Sequence, residues 1–179
     1  MSAKFVHLHV HSEYSLLDGL SKISKLVSRV KELDMSALAL TDHGVMYGAI
    51  EFYKECKKHK INPLIGMEAY IVNRDHHQKE GKGENNHLLL LAKDYQGYQN
   101  LMRLATIAHL EGFYYRPRFS KEILQKYHQG LICTSSCPKG EIAQLLINGN
   151  YSEAKKSVAW YQNLFVDDYY LELQRHQFK

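Results

Sequence analysis

His9 and His11 close a short apolar, β-prone run, Phe5-Val6-His7-Leu8-His9, with one residue between them. In extended backbone, residues two apart point the same way, so the two imidazoles could grip one metal ion. His7 has the same parity and either joins them or faces the interior. Asp18, in the loop that follows, could add a carboxylate. The plainer alternative is a polar strand end with chance histidines. A second pair, Asp42-His43, follows an apolar run and precedes Gly44, which permits a tight turn. Alone, Asp42 could simply cap the next helix. Glu68 sits inside the apolar stretch Leu64-Ile65-Gly66-Met67-Glu68-Ala69, where a carboxylate is costly unless it is paired or bound to metal. A salt bridge to a buried lysine or arginine is the competing reading.

His87 opens a strand-like run, the wrong end for a simple parallel order. A hairpin after Glu68 would bring it back to the same mouth, and the residues alone leave that open. Cys137, in Cys133-Thr134-Ser135-Ser136-Cys137, offers a thiolate suited to zinc; the spacing is not that of a zinc knuckle. Cys133 reads as buried and inert. His59, His76, His77, His109, His128 and His176 lack a strand-end setting and read as structural or incidental, with His76 and His77 solvated in a polar loop. So many nitrogen, oxygen and sulfur donors exceed the needs of one ion. The mixture suits zinc, manganese or iron. A cluster of two or three ions clamps a phosphate and activates water for in-line attack, so phosphoester hydrolysis is the expected reaction. There is no phosphate-cradling glycine loop and no nucleophile elbow. The stretch Tyr114-Tyr115-Arg116-Pro117-Arg118-Phe119 could carry Arg116 and Arg118 to a DNA backbone and stack bases, or could be an ordinary surface loop.

These residues need a frame. Apolar spacing predicts helices over about 21–33, 48–59, 98–110, 141–147 and 152–165, and a short helix capped by Ser120. Strands are expected over about 5–9, 36–41, 63–72, 87–93, 130–134 and 169–173, with loops at 73–86 and 112–119. Alternation of this kind is the pattern of a parallel α/β protein, in which chemistry collects at the carboxyl ends of the strands. The 179 residues suffice for one domain with a real core. A 45% hydrophobic and 23% charged composition argues against disorder. A net charge of +4 is compatible with a polyanionic partner without demanding one. Three cysteines argue against a disulfide framework and for a reducing compartment. No apolar stretch is long enough to cross a bilayer, so no membrane partner and a cytoplasmic location are expected.

In combination, the motifs closely resemble one family. Phe5 to Gly19, Ala39-Leu40-Thr41-Asp42-His43-Gly44, Pro63-Leu64-Ile65-Gly66-Met67-Glu68, His87 to Lys93 with Gly97-Tyr98-Gln99-Asn100-Leu101, and Ser136-Cys137-Pro138-Lys139-Gly140-Glu141 follow the order and rough spacing of the polymerase-and-histidinol-phosphatase (PHP) domains at the front of bacterial replicative DNA polymerase III alpha subunits. The resemblance spans residues 1–179. It implies a distorted TIM-like (β/α)7 barrel of the PHP type holding up to three divalent ions. The ligands implied are His9, His11, Asp18, His43, Glu68, His87 and Cys137, with Asp42 supporting. It implies a 3′–5′ exonuclease acting on DNA. It implies as partners the rest of the alpha subunit and, through it, a proofreading exonuclease subunit and the sliding clamp. Two further ligands, an Asp-x-His pair, fall beyond this chain in the family. The barrel is therefore expected to be truncated, incapable of polymerisation, and open beside His9 and His11. The competing expectations are a non-catalytic docking scaffold and a free-standing histidinol-phosphatase-like enzyme.

Overall fold

The chain folds around a mixed sheet, which a computed structural model describes for residues 5–16, 18–80 and 85–175. Ile23, Val27 and Val30 recur at helical spacing and form the buried stripe of α1 (Ile23–Glu32). Strand β1 (Ala37–Leu40) is buried throughout, as its unbroken apolar run requires. Helix α2 (Ala49–His59) packs Phe52 and Cys56 against α1 and β1 to make one small core. The 11-residue β2 (Asn62–Val72) then runs parallel to β1 over its first half.

The sheet is not the all-parallel one that the alternation suggested. Strand β3 (Asn86–Ala92) returns antiparallel along β2, pairing Gly66 with Leu91 through Ile71 with Asn86. This hairpin puts the amino end of β3 beside the carboxyl half of β2. It answers the open question about His87. Strand β5 (Leu131–Thr134) is also antiparallel to β3, and the short β6 (Tyr169–Tyr170) is parallel to β5. Strand β4 (Arg118–Ser120), in a stretch expected to be loop, pairs in parallel with the end of β2.

Helices α3 (Tyr95–Leu110), α4 (Lys121–Tyr127), α5 (Glu141–Ile147) and α6 (Tyr151–Phe165) complete the frame, and α3, α4 and α6 cover the larger core of β2, β3 and β5. Ser120 caps α4 as its position predicted, accepting from the Ile123 N–H. Helix α3 starts three residues earlier than its apolar period indicated, because the Asp94 carboxylate accepts from the Gly97 N–H at 2.8 Å. That first turn lies almost on the backbone of the next loop: a Cβ on Gly97 would sit 1.8 Å from the Gly130 carbonyl oxygen. Neither side of this contact is a movable side chain. Gly97→Ala is expected to lower stability by about 2–3 kcal/mol in urea denaturation; an unchanged midpoint would refute the close contact.

The edges of the sheet approach each other. On the β1 side, Ala39 and Thr41 donate backbone hydrogen bonds to the carbonyls of His7 and Val10, so residues 5–10 run beside β1 as expected, though without regular strand pairing. On the β6 side, Glu172 continues past the strand and reaches His9. The result is an α/β barrel-like sheet whose first and last segments meet through side chains. Among the described residues, no helix is long and apolar enough to cross a membrane.

Candidate metal centre

Two hydroxyls and a carboxylate shape the loop that carries the first histidines. The Thr41 hydroxyl accepts from the Val10 N–H at 2.9 Å and faces the Val10 carbonyl at 3.1 Å. Both oxygens of the buried Asp42 carboxylate are taken by Ser12, at 2.6 Å from its N–H and 2.8 Å from its hydroxyl. The chain is thereby turned just after His11. The Ser15 hydroxyl accepts from the His43 N–H and donates to Asp18 at 2.7 Å, which brings the Asp18 carboxylate in front of His43. Gly44 follows at φ +65°, and a Cβ there would lie 2.7 Å from the Pro117 ring. His109 donates to its carbonyl at 2.9 Å, a structural role for that histidine.

Glu68 stands at the centre. It is 1% exposed. Its Oε2 lies 3.1 Å from His9 Nε2, 2.8 Å from His11 Nε2 and 3.2 Å from His43 Nδ1, and its Oε1 lies 2.9 Å from His87 Nδ1. Asp18 Oδ2 bridges His11 Nδ1 at 3.2 Å and His43 Nε2 at 2.8 Å. Cys137 Sγ is 3.4 Å from His87 Nδ1, and the Ser136 hydroxyl donates to Glu68 at 2.9 Å. The structure thus brings His9, His11, Asp18, His43, Glu68, His87 and Cys137 into one cluster. No lysine or arginine pairs with Glu68 among the described residues.

The electrostatics follow from one buried carboxylate packed among four imidazoles. Burial alone would raise the Glu68 carboxyl, but the close His11, His87 and His9 imidazoles hold it far below the usual range. Burial dominates at His43 and pushes its imidazole down to about 4. At His9 burial is outweighed by the Glu172 and Glu68 carboxylates, which hold it at about 9. Burial, then the Glu68 charge, lifts the Cys137 thiol to about 11. The donors fit divalent ions on a further ground. His11 Nε2 and His43 Nδ1 are buried without a well-aligned hydrogen bond, and both lie against the same Glu68 oxygen, at 2.8 and 3.2 Å. Three overlapping groups, His9/His11/Glu68, His11/Asp18/His43 and His43/Glu68/His87, each hold ligand atoms within 4.8 Å of one another.

Other residues depart from expectation. The corner beside His9 and His11, expected to be open, is occupied: Glu172 Oε1 lies 2.7 Å from His9 Nδ1, and its Oε2 accepts from the Thr134 hydroxyl at 2.6 Å. No motif marks Glu172. It falls inside the last strand expected from the sequence, over about 169–173, whereas the observed strand ends at Tyr170. His7 is exposed, its ring edge-on to Phe5 at 4.9 Å, and does not join the cluster. Arg118, expected with Arg116 at a DNA backbone, is 1% exposed. Its guanidinium donates to the Gly112 and Gln78 carbonyls and lies over the Tyr114 ring. It sits inward because β4 pairs with β2, which leaves Arg116 alone at the surface. His176 lies outside the described residues.

A cavity of about 920 Å³ opens beside Asp18, His43 and His87. Tyr14, Tyr47, Tyr70, Tyr115, Arg116 and Lys139 are among its walls. The Tyr70 ring stacks on His43 at 5.5 Å and 13°.

An α/β frame with a histidine–carboxylate cluster at its strand ends defines the class, and the chain belongs to the PHP domain family, which it matches over residues 7–176. It is 51% identical to a DNA polymerase III subunit alpha of Borreliella burgdorferi and 49% identical to one of Helicobacter pylori, over 99% and 96% of its own length. It spans only 16% and 15% of those relatives. Among solved structures it shows a partial likeness, TM-score 0.41 and 18% identity over 58% of this chain and 34% of the other, to a protein from Bifidobacterium adolescentis assigned as a metal-dependent phosphoesterase.

Proposed function

We propose that this chain is the N-terminal PHP domain of a bacterial replicative DNA polymerase III alpha subunit and that it acts as a metal-dependent phosphoesterase, a 3′–5′ exonuclease on DNA. The carrying observation is the Glu68 carboxylate ringed by four imidazoles, two of which turn buried nitrogens, without a well-aligned hydrogen bond, on the same oxygen. His9, His11, Asp18, His43, Glu68, His87 and Cys137 would hold up to three divalent ions, zinc, manganese or iron by donor chemistry. Ions bound there supply charge neutralisation at phosphate and acidification of water. Asp42 keeps the Ser12 turn in place and so orients His11. Glu172 fixes the His9 ring through Nδ1.

The cavity supplies the rest. Arg116 and Lys139 can pair with the phosphates of a strand end, while Tyr14, Tyr47 and Tyr115 offer faces for its bases. The Arg116 guanidinium lies 5.8 Å from the Tyr70 ring, which holds it at the wall next to His43. Arg116→Ala is expected to raise KM for a single-stranded DNA end about tenfold with little change in kcat; an unchanged KM would remove Arg116 from the binding wall.

In the whole protein the partners would be DNA, the remainder of the alpha subunit, a proofreading exonuclease subunit and the sliding clamp. The proposal is tested with 3′-labelled DNA and added zinc or manganese. Nucleotide release is expected, and its loss in a His11→Ala, His43→Ala double variant. Stoichiometric metal without any 3′-end release would sink the exonuclease reading and point to a docking scaffold. Release of phosphate from histidinol phosphate in place of nucleotides would point to the free-standing enzyme.

A further inference from the structure

A second group of metal-ligating side chains stands apart from the Glu68 cluster, in the connection after β2. Composition placed His76 and His77 in a solvated loop, but His76 is 4% exposed. Neither of its ring nitrogens has a hydrogen-bond partner. A polar ring buried without a hydrogen bond carries a desolvation cost that the carboxylates 3.7 and 3.9 Å away offset only in part. The charged and imidazole side chains beside it are all ligand types. Asp75 Oδ1 lies 3.7 Å from His76 Nδ1 and 2.8 Å from His77 Nδ1. On the far side, Glu111 Oε2 lies 3.9 Å from His76 Nε2 and 3.7 Å from His77 Nε2. The two rings are 4.2 Å apart. Asp75, His76 and His77 each place a ligand atom within 4.8 Å of the other two.

We infer that Asp75, His76 and His77 bind one divalent transition-metal ion, zinc by their chemistry, and that Glu111 steadies the imidazoles from their other nitrogens. Bonds of about 2.0–2.2 Å to such an ion set neighbouring ligand atoms roughly 3–3.5 Å apart, which small side-chain rotations here would reach. A carboxylate on the second ring nitrogen is the usual support of a ligating histidine. The site joins two distant parts of the chain. Glu111 caps the end of α3, and a Cβ on the adjoining Gly112 would lie 3.2 Å from the His76 ring. The chain then runs directly into Phe113, Tyr115, Arg116 and Pro117, one wall of the cavity. The ion would staple the β2–β3 connection to the root of that wall.

The test counts zinc on the 179-residue chain after gel filtration. His77 and Glu111 side chains are 58% and 50% exposed, so His77→Gln and Glu111→Gln leave the fold intact, as circular dichroism would show. His77→Gln is expected to lose one zinc equivalent relative to the parent chain. Glu111→Gln should weaken that equivalent about 10–100-fold. The same single-equivalent loss is expected when His77→Gln is added to a Glu68→Gln chain, which separates this site from the first. Equal zinc content with and without His77 in both backgrounds overturns the inference.

Discussion

Glu68→Gln is expected to strip the chain of its tightly held cluster metal, weakening affinity by about 100-fold or more. Loss of a supporting residue alone costs roughly 10–100-fold, and Glu68 touches four imidazoles directly. The amide is nearly the same size, so the change is one of charge. Without the carboxylate, His9 keeps only one of the two carboxylates that its ring faces. Its neighbours lose the shared acceptor that keeps them facing inward. Asp42→Asn makes the contrast, because that carboxylate is spent on Ser12 and reaches the cluster only through the loop it shapes. Its effect should be the smaller, within about 10–100-fold. Metal analysis of the two variants after dialysis checks both. Comparable metal content in Glu68→Gln and the parent would remove Glu68 from the centre of the site.

The second large effect concerns stability and a carboxylate outside the Glu68 cluster. Glu141, the first residue of α5, is buried, yet its oxygens accept from Asn73 at 3.0 Å, Lys121 at 2.8 Å, Ser157 at 3.0 Å and the Tyr161 hydroxyl at 3.0 Å. It thereby ties the end of β2, the start of α4 and two turns of α6 to α5. Lys121 in turn lies over the Trp160 and Tyr161 rings, about 5 Å from each. Glu141→Ala would leave that ammonium without its partner and should cost about 3–5 kcal/mol in urea unfolding. Glu141→Gln keeps the shape and should cost about 1–3 kcal/mol. The pH dependence has a definite sign. Burial would raise the Glu141 carboxyl, but Lys121 and the other donors hold it below the usual value of 4.5. Its stabilisation is therefore fully present above pH 4.5 and is lost as the pH falls through the lower folded value. Glu141→Gln should flatten the acid side of the stability curve. A Glu141→Ala chain within about 1 kcal/mol of the parent would show that the network is not a structural tie.

What the sequence disclosed and what it hid divide along a physical line. His9, His11, His43 and Glu68 were legible because strand parity and strand ends are local properties, written in runs of five to ten residues. Helix α5 could be placed from its period alone, and α4 from its cap. The hairpin of β2 and β3 was only one of two options for His87, since pairing direction depends on partners outside the run. Arg118 and His76 were misread for the same reason. His76 lies in a polar stretch and Arg118 in an aromatic, arginine-bearing one, both expected to be loop, and both are buried. Glu172 went unseen because Leu171-Glu172-Leu173 is an ordinary strand-end alternation. Only the curl of the sheet makes it a neighbour of His9.

That last contact bears on how the site comes into being. His9 and Glu172 are 163 positions apart. Closing so long a loop carries the largest entropic cost of any pairing in the cluster, although the cost grows only logarithmically with length. The β2–β3 hairpin can form early from nearby residues and set Glu68 beside His87. The His9 corner must wait until the first and last segments have both found the sheet. On a growing chain the centre would stay unfinished until residue 172 has emerged from the ribosome, and any metal captured there would report that both segments have found the sheet.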